Sequence, residues 1–198
     1  MGREARCRVR AAGREVEAKV LLETDELIVR GDLRLRLAFA ALTSVEARGD
    51  TLLLDGPDGP VEIDVGEKEA ERWAARIRNP PTLRQRLGLA DDASVALVGA
   101  PDGELRDALG EAVSAGPERA DAVFASIEDR GGLDQVPALA DGLRRDASLW
   151  IVYPKGRKEV READVLAAGR AAGLKDTRVA RVSATHTGLR FVVPLADR

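Results

Sequence analysis

Apolar positions along the chain follow two different rhythms, and the change falls at Asn79-Pro80-Pro81-Thr82, where two prolines bar both helix continuation and sheet pairing. Before that point the apolar positions alternate or form short runs. Cys7 to Arg10, Glu15 to Leu22 and Glu26 to Arg30 predict strands, with Arg30-Gly31-Asp32 as a tight turn into the next one. In Leu33-Arg34-Leu35-Arg36-Leu37-Ala38-Phe39 the leucines and Phe39 share one face and the arginines the other, which predicts a strand with one side in a core and one side wet. Ser44 to Ala47, Thr51 to Leu54 and Val61 to Val65 continue the meander through Arg48-Gly49-Asp50 and Asp55-Gly56-Pro57-Asp58-Gly59-Pro60. A helix from Glu67 to Arg78 follows. Ala70, Trp73, Ala74 and Ile77 form its apolar stripe, with acidic residues early and Arg76 and Arg78 late, as the helix dipole favours.

After Thr82 the runs become compact and alternate with helical patterns. Ser94 to Val98, Ala122 to Ser126 and Ser148 to Tyr153 lack strict alternation, as expected of strands buried on both faces. Helices are predicted over Asp102 to Ser114, Asp134 to Arg144 and Arg161 to Ala172, the last stopped by Gly173. Arg178 to Ser183 and Leu189 to Val193 are separated only by Ala184 to Gly188, too few residues for a crossover helix, so they predict an antiparallel hairpin at a sheet edge. The expectation is a two-domain chain. Residues 1–79 form an α+β domain of about seven antiparallel strands closed by a helix. Residues 80–82 are a linker, and residues 83–198 form an α/β Rossmann-like domain ending in an antiparallel hairpin.

Composition narrows the chemistry. Of 198 residues 44% are apolar and 33% charged, enough to build cores, and the net charge of -3 supplies no field for nucleic acid or an anionic membrane. The balance holds on both sides of the break, with 14 basic against 16 acidic residues up to Asn79 and 17 against 18 beyond it. One cysteine, Cys7, and one histidine, His186, exclude a disulfide within the chain and thiolate-rich or paired-histidine metal sites. No secretory apolar segment opens the sequence and no run approaches a membrane span, so a soluble, cytoplasmic protein is expected.

Seven short strands closed by a helix carrying Trp73 resemble the pleckstrin-homology-like fold, and the C-terminal order resembles the methyltransferase-type Rossmann fold. Three C-terminal segments resemble a family of uncharacterised bacterial proteins: Leu149-Trp150-Ile151-Val152-Tyr153-Pro154-Lys155-Gly156, Ala171-Ala172-Gly173-Leu174-Lys175-Asp176, and the stretch from Ser183 to Val192. The N-terminal stretch from Leu22 to Asp32 resembles the same family, and the bias to Ala, Arg, Gly and Leu suggests a GC-rich bacterial genome. The resemblance implies a shortened methyltransferase-like C-terminal domain. It brings no established activity, so it speaks to the fold more than to the function.

A methyltransferase-type fold binds its cofactor over a glycine-rich turn after the first strand, which here reads Val98-Gly99-Ala100-Pro101-Asp102-Gly103. Gly99, Asp102 and Gly103 are the candidate cofactor-binding residues. Ala100, however, adds a Cβ where ligand atoms must approach, and Pro101 removes a backbone donor. Glu118 has the spacing of a ribose-binding acid but follows Ala115-Gly116-Pro117, a turn and not a strand. Only 21 residues separate Gly99 from Asp121, too few for two strands and a helix. The expectation is therefore no cofactor, S-adenosylmethionine being the one that an intact turn would hold.

Three further residues are candidates for a ligand pocket. Tyr153 and Lys155 lie just past the carboxyl end of a central strand, where open α/β sheets bind ligands, and His186 sits in the last hairpin beside Ser183, Thr185 and Thr187. No carboxylate in that segment orients His186, which argues against a general base. On the first domain Arg6, Arg8 and Arg10 alternate along one strand and Arg34 and Arg36 along another, a basic strip that Glu4, Glu15, Glu17 and Asp32 offset. Cys7, small and within a strand, reads as a packing residue. The reading that follows is a non-catalytic binding or scaffold protein whose partner is an unidentified protein or small ligand. A methyltransferase-like enzyme using S-adenosylmethionine is the alternative, and anionic-lipid or peptide binding by the first domain a second one.

Overall fold

Strict alternation builds the first sheet. In β1 (Arg3–Ala11) Cys7, Val9 and Ala11 point inward while Arg6 and Arg8 face out, and β2 (Arg14–Leu22) repeats the pattern with Ala18, Val20 and Leu22. Ala12 and Gly13, at φ 49° and 73°, make the two-residue turn whose positive φ values match the twist of the paired strands. Then follow β3 (Glu26–Arg30), β4 (Leu35–Ala38), β5 (Ser44–Arg48), β6 (Thr51–Asp55) and β7 (Val61–Asp64). The order β4-β3-β2-β1-β7-β6-β5 is one curled antiparallel sheet. Helix α1 (Glu67–Arg78) packs on β5 and β6, and buries Ala70, Trp73, Ala74 and Ile77 against Val9, Val20, Leu27, Leu52 and Ile63. Truncating Trp73 to alanine would cost about 3–5 kcal/mol, given its complete burial. Its indole N–H donates to Glu69, which also pairs with Arg3 and Arg72, so the plug is bonded as well as packed.

The computed structural model describes residues 3–113 and 116–194. Contacts divide the chain into two units, Met1–Pro81 and Thr82–Arg198. The second unit opens with α2 (Leu83–Leu87), a single turn missed by periodicity. Thr82 and Gln85 form its capping box and Gly88, at φ 69°, stops it. The other elements are β8 (Val95–Val98), α3 (Gly103–Leu109), β9 (Ala122–Ser126), α4 (Val136–Asp141), β10 (Ser148–Pro154), α5 (Glu162–Ala171), β11 (Lys175–Arg181) and β12 (His186–Val192). The mixed sheet runs β11-β12-β10-β9-β8, with β8, β9 and β10 parallel, and β12 antiparallel to both β10 and β11.

All seven residues of β10 are buried, because cores lie on both faces of the sheet. Helices α4 and α5 cover Val123, Leu149, Ile151 and Phe191, while α2 and α3 cover Phe124, Trp150 and Val152. Phe124 and Trp150 stack with ring centres 5.9 Å apart and planes within 4°.

Several expected boundaries move. The expected Leu33 to Phe39 strand pairs only from Leu35 to Ala38 and ends in a 3-10 turn at Phe39–Ala41, where Phe39 N–H donates to the Asp25 carbonyl. Helix α3 is shorter than expected and ends in a 3-10 turn, Gly110–Ala112; its predicted end at Ser114, and Ala115 beyond, lie outside the described residues. The Asp134 to Arg144 helix is instead a 3-10 turn, Gly131–Gln135, leading into a short α4 that Gly142 ends. Gly188, read as part of the hairpin loop, lies within β12. A Cβ there would meet the Trp150 ring at 3.1 Å, so the glycine lets the indole lie against the strand, and the loop shrinks to residues 182–185.

Candidate functional site

Three parallel strands end at one edge of the second sheet, and the β11–β12 turn folds over the same edge. Past β8 the chain turns at Gly99, whose φ of 80° suits glycine alone. A Cβ at Gly99 would sit 2.8 Å from the Ser126 carbonyl oxygen, so what Gly99 admits is the neighbouring strand β9. Ala100 and Pro101 follow. Asp102 then caps α3, its Oδ1 accepting from the Glu104 N–H at 2.9 Å. Gly103 is the first residue of that helix, with nothing near its α-carbon on the side a Cβ would take.

The other carboxylate oxygen of Asp102 faces the hairpin. Ser183 Oγ donates to Oδ2 at 3.2 Å, and His186 Nδ1 lies 3.1 Å from it. The opposite ring nitrogen, Nε2, lies 3.2 Å from Glu128 Oε1, two residues beyond β9, and Thr185 Oγ1 is 2.9 Å from Nδ1. The hydrogen-bond partners of the ring are thus Thr185 Oγ1 at Nδ1 and Glu128 at Nε2, with Asp102 within ion-pair distance of Nδ1. Lys155 joins from the end of β10: its backbone N–H donates to the Thr185 carbonyl and its Nζ to the Ser183 carbonyl at 2.6 Å. Arg181 Nε donates to the same carbonyl at 3.2 Å.

This geometry assigns the polar groups. Ser183 Oγ accepts from the Thr185 and His186 N–H groups while donating to Asp102, so its donor and acceptor capacity is taken up within the turn and the α3 cap. Asp102 and His186 are mostly buried, at 15% and 16% side-chain exposure, where such bonds are little screened by water. Among the described residues no group of His, Cys, Asp and Glu is placed to hold a metal ion.

Of the sequence candidates, Asp102, Lys155 and His186 converge on one clasp, with Gly99 and Gly103 on its backbone frame. Tyr153 does not join it. Its ring is buried among the residues under α4 and α5, and its hydroxyl donates to Glu162 at 3.4 Å; burial and that carboxylate push its ionisation well above the usual phenol range. The sequence argument that no carboxylate orients His186 held only for its own segment, because Asp102 and Glu128 arrive from other elements. Glu128 went unread; its only signal was an acid two residues past a central strand.

Family models give no match to this chain, and a search of curated proteins gives none. Among solved structures, the Vav1 exchange factor with its PH and C1 domains is 14% identical at TM-score 0.31, covering 44% of this chain and 28% of that one. LaPhzM is 15% identical at TM-score 0.37, covering 65% and 60%. Mitomycin 7-O-methyltransferase MmcR is 11% identical at TM-score 0.34, covering 65% and 57%. The chain thus spans less than two thirds of each of these structures, and the likeness is loose. Among the described residues no helix is long and apolar enough to cross a membrane.

Proposed function

We propose that the chain is a non-catalytic binding or scaffold protein of the cytoplasm. Its first unit is a pleckstrin-homology-like β domain and its second, from residue 83, a shortened methyltransferase-like domain that holds no S-adenosylmethionine. One observation carries this reading: the corner where such a fold would take its cofactor is spanned by the protein's own side-chain contacts, Asp102 with Ser183 and His186, and His186 with Glu128. The cap on α3 is a carboxylate already bonded to Ser183, the preceding Pro101 offers no N–H, and Gly99 is packed on Ser126. Between β8 and β9 the described residues contain one helix, one 3-10 turn and a single parallel bridge from Val113 to Val95, so no full strand among them lies beside β8 to carry a ribose-binding acid. Gly99, Asp102, Gly103, Lys155 and His186 therefore act as structural residues that tie the ends of β8, β9, β10 and β12 together.

Titration calorimetry with S-adenosylmethionine and S-adenosylhomocysteine tests the reading. No heat of binding up to millimolar ligand is expected. Stoichiometric micromolar binding of either compound would replace the scaffold by a methyltransferase-like enzyme.

A further inference from the structure

The outward face of the first sheet carries a row of like charges that its own stability does not explain. Arg6 of β1 stands opposite Lys19 of β2, and Lys19 opposite Arg30 of β3. Extending the β3–β4 register one residue beyond Val29–Leu35 sets Arg34 opposite Arg30. Directly opposed residues in antiparallel strands point the same way, and like charges there repel. Four neighbouring strands thus present four cations in line, over about 15 Å at the usual strand spacing.

The rest of the basic strip seen in the sequence is neutralised. Arg8 and Arg10 pair with Glu15, Arg10 also with Glu62 and Asp64, and Arg36 with Glu26. Within the row, Lys19 pairs with Glu4, while Arg6, Arg30 and Arg34 are exposed and have no ion pair among the described residues. Arg30 and Arg34 line a groove of 510 Å³ with Ile28, Gly31, Leu35 and Arg36. The adjoining row is apolar at its centre, where half-buried Leu21 stands opposite Ile28.

We infer that this row is the docking site for an acidic peptide segment, carboxylates on Arg6, Arg30 and Arg34 and an apolar side chain over Leu21 and Ile28. The inference names a partner for the binding role proposed above and rests on it. A peptide fits better than a membrane because Glu4, Glu15, Glu17 and Glu26 share the outward face on either side of the row. A flat anionic surface would meet those carboxylates together with the cations, whereas one extended segment along the row would meet the cations alone. Four or five extended residues cover such a length, at about 3.3 Å each.

Fluorescence anisotropy with a short labelled peptide rich in Asp and Glu and bearing one Leu tests this, with its Asn/Gln counterpart as control. Expected are saturable binding of the acidic peptide, none of the control, and loss of binding as ionic strength rises to about 0.5 M. Arg30→Glu and Arg6→Glu should each weaken it at least about tenfold, and Arg76→Glu, on the exposed side of α1, should leave it unchanged. Arg30→Glu should also raise the melting temperature, since it replaces repulsion from Lys19 by attraction; that gain separates a lost contact from a lost fold. Absence of peptide binding, or equal binding by the reversal variants, overturns the inference. So does Arg30-dependent sedimentation with phosphatidylserine vesicles that the peptide does not compete away, or displacement of the peptide by millimolar inorganic phosphate. The cofactor calorimetry bears on the second unit alone, so failure here leaves that result standing.

Discussion

His186 Nδ1 lies 3.1 Å from Asp102 Oδ2, joining the start of the last strand to the cap of a helix early in the second unit. Together with the Ser183 hydroxyl bond to Asp102, that contact ties the β11–β12 turn to the α3 cap. The two side chains should therefore be energetically coupled without any ligand present. A double-mutant cycle on Asp102→Asn and His186→Gln, read by urea unfolding, should return a coupling of about 1 kcal/mol. Asp102→Ala alone should cost about 1–2 kcal/mol, because it also removes the α3 cap.

Gly99 is predicted to serve the fold and not a cofactor. Gly99→Ala forces a Cβ into the Ser126 carbonyl and requires a left-handed backbone from alanine, so it should destabilise the ligand-free protein by about 1–3 kcal/mol. Thermal melts of the purified variant would register this directly. An unchanged melting temperature would point to a turn that opens, and would undercut its structural assignment.

Much of this was legible in the sequence, and the gaps have physical causes. The break at Pro80-Pro81, the α1 stripe and the Ala122–Ser126 strand follow from periodicity, because burial on one face or two writes itself into local pattern. Lys155 was singled out by its place past a central strand, Asp102 by the turn after the first strand of the second unit, and His186 as the lone histidine in a polar hairpin. Their use was not legible: the clasp joins residues from four elements, and nothing local pairs His186 with Glu128. Gly188 was misread for a related reason, since a glycine's signal is the same whether it makes a turn or lets the Trp150 ring lie against a strand. The ion-paired arginines of the basic strip likewise could be told from those without an ion pair among the described residues only after the register was fixed.

Cys7 should behave as a buried packing residue. Burial, then the nearby Glu17 and Asp64 carboxylates, push its thiol up to about 11, which lowers its thiolate fraction near neutral pH by roughly two orders of magnitude. Reaction with a disulfide reagent should be slow in the native protein and fast in denaturant. The same shift makes stability decline as pH rises from about 8.5, where an unfolded thiol ionises, toward the folded value. Cys7→Ser should remove that decline.

Asp121 should contribute to acid sensitivity with the opposite sign. Its Oδ2 accepts from Ser94 Oγ at 2.7 Å and Ser94 N–H at 2.8 Å, with Arg144 beside Oδ1, and these hold its carboxyl below the usual range. A depressed carboxylate stabilises the fold above its unfolded value of about 3.9, and that contribution is lost as pH falls through the folded value. Asp121→Asn should lower stability at pH 7 and flatten the decline below about pH 4, as urea midpoints across that range would record.

The carboxyl corner of the second sheet is tied by the protein's own side chains, and amide NMR reads that corner residue by residue. During titration with S-adenosylhomocysteine to millimolar levels, the N–H signals of Gly99, Asp102, Gly103, Lys155 and His186 should stay where they are. Saturable shifts clustered on those five residues would contradict this, because a ligand would then occupy the place assigned to the Asp102–His186–Glu128 clasp.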